Sequence, residues 1–214
     1  MRSFRLIATL CGIGALGTPA LADDVNVDFA ARQTMTLARI RPNSRVYFYH
    51  GPEVDGCPAL TARCRRRAYL VAGNVLLVGA RHGDLIDAVF VPPQGRATEG
   101  WVPATAIRTI PTPAVKPSSW LGSWGYDDAE IDISAGSQPG RLKASGTATY
   151  GHGDAIHDGG FEAEAVMEGD RVTFNDDDCR VSMRIIGPYL VAADNLDCGG
   201  LNVTFSGTYR RMPK

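Results

Sequence analysis

Beyond its first 22 residues the chain has no apolar run approaching the ~20 residues that a membrane-spanning helix needs. It also lacks any surplus of basic charge: 22 Lys and Arg stand against 23 Asp and Glu, with only 4 His. A surface so balanced offers no electrostatic footprint for nucleic acid or anionic lipid. No G-x-S-x-G elbow is present, and no Ser/His/Asp grouping has a recognisable context, so a nucleophilic hydrolase finds no support. The cysteines lack the paired C-x-x-C knuckles of a structural zinc site. Asp176-Asp177-Asp178 lacks the alternation and the distant Glu of a calcium loop, and reads as an acidic turn. The expectation is a protein with no catalytic residues, metal or cofactor.

What is present begins with Met1-Arg2-Ser3-Phe4-Arg5, an apolar run from Leu6 to Leu16, and Pro19-Ala20-Leu21-Ala22. A basic start, a short apolar stretch and small residues at an A-x-A site read as a secretory signal over 1–22, cleaved after Ala22. Leu10 before Cys11 is not the small residue a lipobox wants, so Cys11 is expected to leave with the signal. The expected location is periplasmic or secreted, with no membrane insertion after cleavage. Losing Arg2 and Arg5 takes the 22 basic residues to 20 against 23 acidic ones, a net charge of −3. Four cysteines then remain, Cys57, Cys64, Cys179 and Cys198, and an even number in an exported chain argues for disulfides. Three pairings exist. Local geometry favours Cys57 with Cys64 and Cys179 with Cys198, because a strand opening at Cys179 turns at Gly187-Pro188 and returns near its own start.

Between Ile110 and Ser118 the sequence carries Pro111, Pro113 and Pro117, which fit neither a sheet interior nor a helix. This is expected to be a semi-rigid linker over 111–119, dividing a first β domain (23–110) from a second (120–214) and keeping their cores apart. Domains this small bury modest cores, which gives two disulfides a purpose.

In the first domain, 30–39 reads equally as a short helix or an extended lead-in. Strand-like runs follow at 45–50, 68–71, 75–80, 85–91 and 100–107, rich in β-branched and aromatic residues and separated by turn formers. Five short strands suggest a small barrel. Tyr69-Leu70-Val71-Ala72-Gly73-Asn74, an alternating strand, and Gly100-Trp101-Val102-Pro103-Ala104 together resemble a bacterial SH3-like domain over about Arg41 to Ile110. The sequence departs from that pattern at 56–67, an insertion holding Cys57, Cys64 and three arginines, placed to cover part of a groove. SH3-like barrels present aromatic rings along one groove, so the resemblance implies a ligand-binding set of Tyr47, Tyr49, Tyr69 and Trp101. Alternation separates Tyr47 and Tyr49 from Val46 and Phe48, and Phe48, the more apolar, is expected inward. Trp101 reads as core or groove alike.

The second domain alternates more cleanly. Leu142, Ala144, Gly146, Ala148 and Tyr150 share a face, as do Phe161, Ala163, Ala165 and Met167; Val181, Met183 and Ile185; and Leu201, Val203, Phe205, Gly207 and Tyr209. Sustained period two predicts half-buried antiparallel structure. About eight strands, at 120–126, 130–135, 141–150, 161–168, 171–175, 179–186, 189–194 and 202–211, close most naturally as an up-and-down barrel that leaves no open edge. Gly122-Ser123-Trp124 resembles the G-x-W opening of lipocalin-like barrels. That resemblance implies a Trp plugging the barrel base beside a basic residue of the last strand, Arg210 or Arg211. The fold class expected for the whole chain is therefore all-β.

Tyr150 to Gly160 joins His152, Asp154, His157 and Asp158 in what reads as a flexible glycine-rich loop. Imidazole and carboxylate are metal-ligand types, but the spacing matches no established motif, and a solvated loop that contacts a partner is the favoured reading. An exported, disulfide-linked small barrel also resembles bacterial periplasmic lysozyme inhibitors in architecture and compartment. The leading expectation is a non-enzymatic envelope protein binding peptidoglycan or a wall-associated protein. An inhibitor of a lysozyme-like hydrolase, using 152–160 and 194–200, is the alternative; a metal-dependent hydrolase ranks lower.

Overall fold

The computed structural model describes residues 27–42, 45–93, 96–153 and 155–213, so the expected signal over 1–22 and Asp154 lie outside the described residues. The lead-in resolves as both of its alternatives in turn, a short helix α1 (Val27–Arg32) and then a strand β1 (Thr36–Ile40). The first half continues with β2 (Arg45–Tyr49), β3 (Arg65–Val71), β4 (Val75–His82), β5 (Leu85–Phe90), β6 (Thr98–Pro103) and β7 (Ile107–Thr109). These seven strands form one sheet in the order β3-β2-β6-β5-β4-β1-β7, every pairing antiparallel. All seven contribute to one buried cluster that includes Ile40, Val46, Phe48, Leu70, Leu76, Ala88, Val102 and Ile107, so the sheet curls around its own core. The strand expected at 68–71 begins three residues earlier, which places Arg65, Arg66 and Arg67 in β3 rather than in the insertion.

The second half holds β8 (Gly122–Tyr126), β9 (Ala129–Ala135), β10 (Arg141–His152), β11 (Ala155–Val166), β12 (Arg171–Asp176), β13 (Cys179–Ile186), β14 (Tyr189–Asp194) and β15 (Gly207–Arg211). Each strand pairs with its chain neighbour except across two places: β15 closes on β8, and β11 and β12 meet without a ladder. The result is a nearly closed eight-stranded antiparallel barrel. At the seam the Glu162 backbone N–H donates to Asp176 Oδ2 at 2.8 Å.

The barrel interior is filled by side chains. Small residues on the inner face of β10 make room for aromatics opposite: a Cβ at Gly146 would stand 2.4 Å from Phe161 and 2.8 Å from Phe205. Phe161 and Phe205 pack edge-to-face with centroids 4.9 Å apart, and Phe161 also meets Phe174 at 6.2 Å. At the other end Trp124 is buried, its indole N–H donating to the Trp120 carbonyl at 2.9 Å, and the Arg211 guanidinium lies 4.5 Å over its ring. Of the two arginines named from the sequence, Arg211 is therefore the one on Trp124. Arg210 lies instead over Tyr189, at 5.1 Å.

Two expectations are corrected. The last alternating stretch is a strand only from Gly207 on; 195–206 is a long connection whose Val203 and Phe205 are buried while Leu201 is exposed. The buried Asp194 carboxylate holds that connection by accepting from Thr204 Oγ1 (2.8 Å), Ser206 Oγ (2.6 Å) and the Phe205 N–H (2.8 Å). Nor does the proline segment keep the cores apart. A third buried cluster joins Met35, Leu37, Leu77, Val89 and Val91 of the first sheet to Ile186, Tyr189 and Val191 of the barrel. Tyr189 donates its hydroxyl to the Val75 carbonyl, and buried Gln33, just after α1, donates to Ser182 and Val191 and accepts from Arg171 at 3.0 Å. Strands β1, β4 and β14, and β5 apart from Asp87, are thus apolar on both faces: one serves its own barrel or sheet, the other serves the junction.

Both expected disulfides are present, Cys57–Cys64 and Cys179–Cys198, with Cα atoms 5.8 and 4.5 Å apart. Two such bridges belong to an oxidising compartment. Among the described residues no helix is long and apolar enough to cross a membrane.

Candidate functional site

The junction covers only part of the outer face of the first sheet. Period-two alternation on β2 turns Val46 and Phe48 into the core and Tyr47 and Tyr49 outward. On β3, Leu70 goes in while Arg65, Arg67 and Tyr69 go out. Register then assembles the outward set: Tyr47 pairs across the strands with Tyr69, and Tyr49 with both Arg65 and Trp101. The Tyr47 and Tyr69 rings meet edge-to-face at 5.9 Å. Trp101 is half-buried on the same face, edge-on to His82 at 6.1 Å, which places it in the surface row and not in the core. All four aromatic residues named from the sequence are therefore brought together.

Arginines sit among these rings. The Arg45 guanidinium lies 4.7 Å over Tyr69 and that of Arg65 lies 5.1 Å over Tyr47. Each stacks on a ring and keeps a planar fork of N–H donors for an anionic partner. The 51–64 insertion packs toward the β4–β5 turn, where Pro58, Ala59 and Leu60 share a small cleft with His82 and Leu85, and Tyr69 remains 49% exposed. The insertion borders the aromatic row at Gly51, where a Cβ would stand 2.8 Å from the Trp101 indole nitrogen.

The row continues into a feature the sequence reading missed. Asp87 is the cross-strand neighbour of Trp101, and Glu99 lies two residues along β6 on the same face. Glu99 is held by a bidentate pair from Arg32 of α1. Asp87 has no such partner among the described residues, and burial raises its pKa above the ordinary carboxylate value, opposed by the nearby Arg32 charge. The signal available was an acidic residue in the middle of the otherwise apolar strand Leu85–Phe90.

The expectation of a flexible loop over 150–160 is corrected. Residues 150–152 and 155–160 are strand residues, the distal part of a hairpin of two twelve-residue strands, with β10 and β11 in register from Arg141–Val166 out to His152–Ala155. Alternation sends His157 and Asp158 to opposite faces. His157 lies against the β14–β15 connection, where a Cβ at Gly200 would be 3.1 Å from it, while Asp158 accepts from Thr149 Oγ1 at 3.1 Å. His152 is exposed and pairs across the strands with Ala155. Among the described residues no three His, Cys, Asp or Glu side chains converge as a metal site. The connection 195–206 reaches this hairpin through the Gly160 N–H to the Cys198 carbonyl (3.1 Å) and the Gly200 N–H to the Asp158 carbonyl (3.2 Å), and is tied to β13 by the disulfide. Exposed Tyr150, Ile156, Leu196 and Leu201 stand at this end of the barrel together with Asp158, Asp177, Asp178 and Asp197. Leu196 adopts a left-handed backbone (φ 67°) while half exposed, fixed by Asn195, whose side chain caps the Arg180 N–H at 2.9 Å and the Asp178 carbonyl at 2.7 Å.

No family model, no curated protein and no solved structure matches the chain.

Proposed function

We propose that this is an exported, non-enzymatic binding protein of the bacterial cell envelope, periplasmic or secreted, that holds peptidoglycan on the uncovered face of its first sheet. The observation that carries this reading is the row Tyr69, Tyr47, Tyr49 and Trp101, outward-facing and interleaved with Arg45 and Arg65. Flat rings accept the apolar faces of sugars, and the guanidinium edges suit the carboxylates of wall peptides. The surrounding sheet fixes the rings before any ligand arrives, so little ordering entropy is lost on binding. A wall-associated protein engaging the same face is the other outcome. The test is co-sedimentation of the mature protein with insoluble, protein-free peptidoglycan: saturable pelleting is expected, and a protein left wholly in the supernatant contradicts direct wall binding.

A second reading rests on the far end of the barrel. Exposed Tyr150, Ile156, Leu196 and Leu201 among aspartates suit a basic protein surface, as in an inhibitor of a lysozyme-like wall hydrolase. Slower clearing of a wall suspension by lysozyme at equimolar protein supports this; unchanged clearing at molar excess removes it.

A further inference from the structure

The outer face of the first sheet changes character at one place, where the barrel's cover ends and the aromatic row begins. There an open cleft of about 570 Å³ lies between the α1–β1 segment and strands β4 and β5, lined by Arg32, Thr34, Met35, Gly79, Ala80 and Asp87 among others. The volume is within the range of small-ligand sites. Gly79 keeps its floor open: a Cβ there would stand 3.3 Å from Asp87 Oδ2 and 3.0 Å from Met35 Cε.

The charges in the cleft do not balance. Arg32 is committed to Glu99 by two hydrogen bonds, so of Arg32, Glu99 and Asp87 one negative charge is left over, and it falls to Asp87, which forms no ion pair among the described residues. Asp87 is part-buried, and burying a carboxylate without a counter-charge is costly. Its cross-strand neighbour is Trp101. A part-buried anion beside the apolar thioether of Met35 is the complement of a cation on a flexible alkyl stem. A guanidinium is planar and would compete with Arg32 for the same carboxylates; a compact ammonium carries three donors and no such shape requirement.

We propose that this cleft binds a primary ammonium group on an alkyl chain, seated on the Asp87 carboxylate. Such a group occurs on the side chain of a diamino acid in a wall peptide and on free polyamines. Assigning it to the wall peptide rests on the peptidoglycan reading above; the cleft's chemistry does not. With a glycan strand on Tyr47, Tyr49 and Tyr69, the peptide it carries would cross Trp101 and deliver its amine to Asp87.

The cleft is tested by amide chemical-shift titration of the full mature protein with Nα-acetyl-lysine amide, cadaverine and Nα-acetyl-norleucine amide, which has the same stem without nitrogen. The lysine derivative should saturate below about 10 mM with shifts centred on Gly79 and Ala88, and Asp87→Asn should weaken it by about tenfold or more. Asp87→Asn removes a charge that burial disfavours, so it should fold, and an unchanged shift pattern elsewhere verifies this. Equal binding of the norleucine derivative, undiminished binding by Asp87→Asn, or no saturable shifts with either amine overturns the proposal. Cadaverine binding tighter than the lysine derivative assigns the cleft to free polyamines. Co-sedimentation of the same variant separates the two readings: wild type that pellets with the wall but ignores lysine leaves wall binding standing and ends the ammonium site, while lysine binding without pelleting does the reverse.

Discussion

One face of the first sheet is used in two ways, and the contrast explains both. Along β1, β4 and β5 it carries Met35, Leu37, Leu77, Val89 and Val91, and the barrel covers it; along β2, β3 and β6 it carries Tyr47, Tyr49, Tyr69, Trp101 and arginines, and among the described residues it stays partly exposed. Aliphatic side chains have no polar atom to leave in water, so burial stabilises them fully. Tyrosine, tryptophan and arginine pair an apolar body with a polar end and tolerate half-exposure. The side-chain chemistry of each strand thus states whether its outer face meets the chain's own barrel or something else.

The largest effect is expected where the cover is broken. Val191 is fully buried in the junction, and Val191→Asp leaves an unpaired carboxylate there, at a cost of about 3–5 kcal/mol. Denaturant unfolding followed by tryptophan fluorescence should show one transition at a much lower midpoint; an unchanged midpoint would mean the junction contributes nothing. The Cys179→Ala/Cys198→Ala pair comes next. Removing this bridge, which closes a separation of 19 residues, should cost about 3 kcal/mol in the chain-entropy model. Because the two halves share buried side chains, first-half and barrel probes should shift together, whereas separate melting would show that the cores act independently.

Alkaline pH acts on the same junction. Burial pushes the Tyr189 phenol up to about 12 from its ordinary value of 10.0. The neutral phenol is the favoured form in the fold, so this contribution is complete below pH 10 and is lost as pH rises toward 12. Tyr126, also raised to about 12 by burial, adds to the slope, so Tyr189→Phe should flatten the alkaline fall in melting temperature only in part. The smallest effect belongs to the uncovered side: Tyr69→Ala removes a half-exposed ring and should change stability by no more than about 1 kcal/mol.

Much of this architecture was legible because period two is local. The inward sets on β10 and β13 fixed those strands nearly to their ends, although β11 begins six residues before the expected 161, and Phe48 against Tyr47 and Tyr49 fixed the facing of β2. What escaped were arrangements that depend on long-range docking. Val75 to Val78 and Tyr189 to Ala193 are uninterrupted apolar runs, the pattern of strands buried on both faces, and together they signal the shared core that the proline segment obscured. The glycines at 151, 153, 159 and 160 suggested a loop, but Gly159 is needed for the close approach of the 195–206 connection, not for flexibility: a Cβ on Gly159 would lie 2.4 Å from the Cys198 carbonyl oxygen. Asp87 escaped because its environment is built from α1, β4 and β6, elements distant in sequence.

The most direct test compares the uncovered face with the barrel's far end in a single assay. Tyr47→Ala/Tyr69→Ala and Leu196→Ser/Leu201→Ser should both fold, as judged by far-ultraviolet circular dichroism and melting temperature. In co-sedimentation with protein-free peptidoglycan, the tyrosine pair should lose about tenfold or more in affinity, given about 1–3 kcal/mol for the truncation of contact aromatics, while the leucine pair pellets like wild type. Undiminished pelleting of the tyrosine variant, or loss confined to the leucine variant, would contradict the assignment of wall binding to the first sheet.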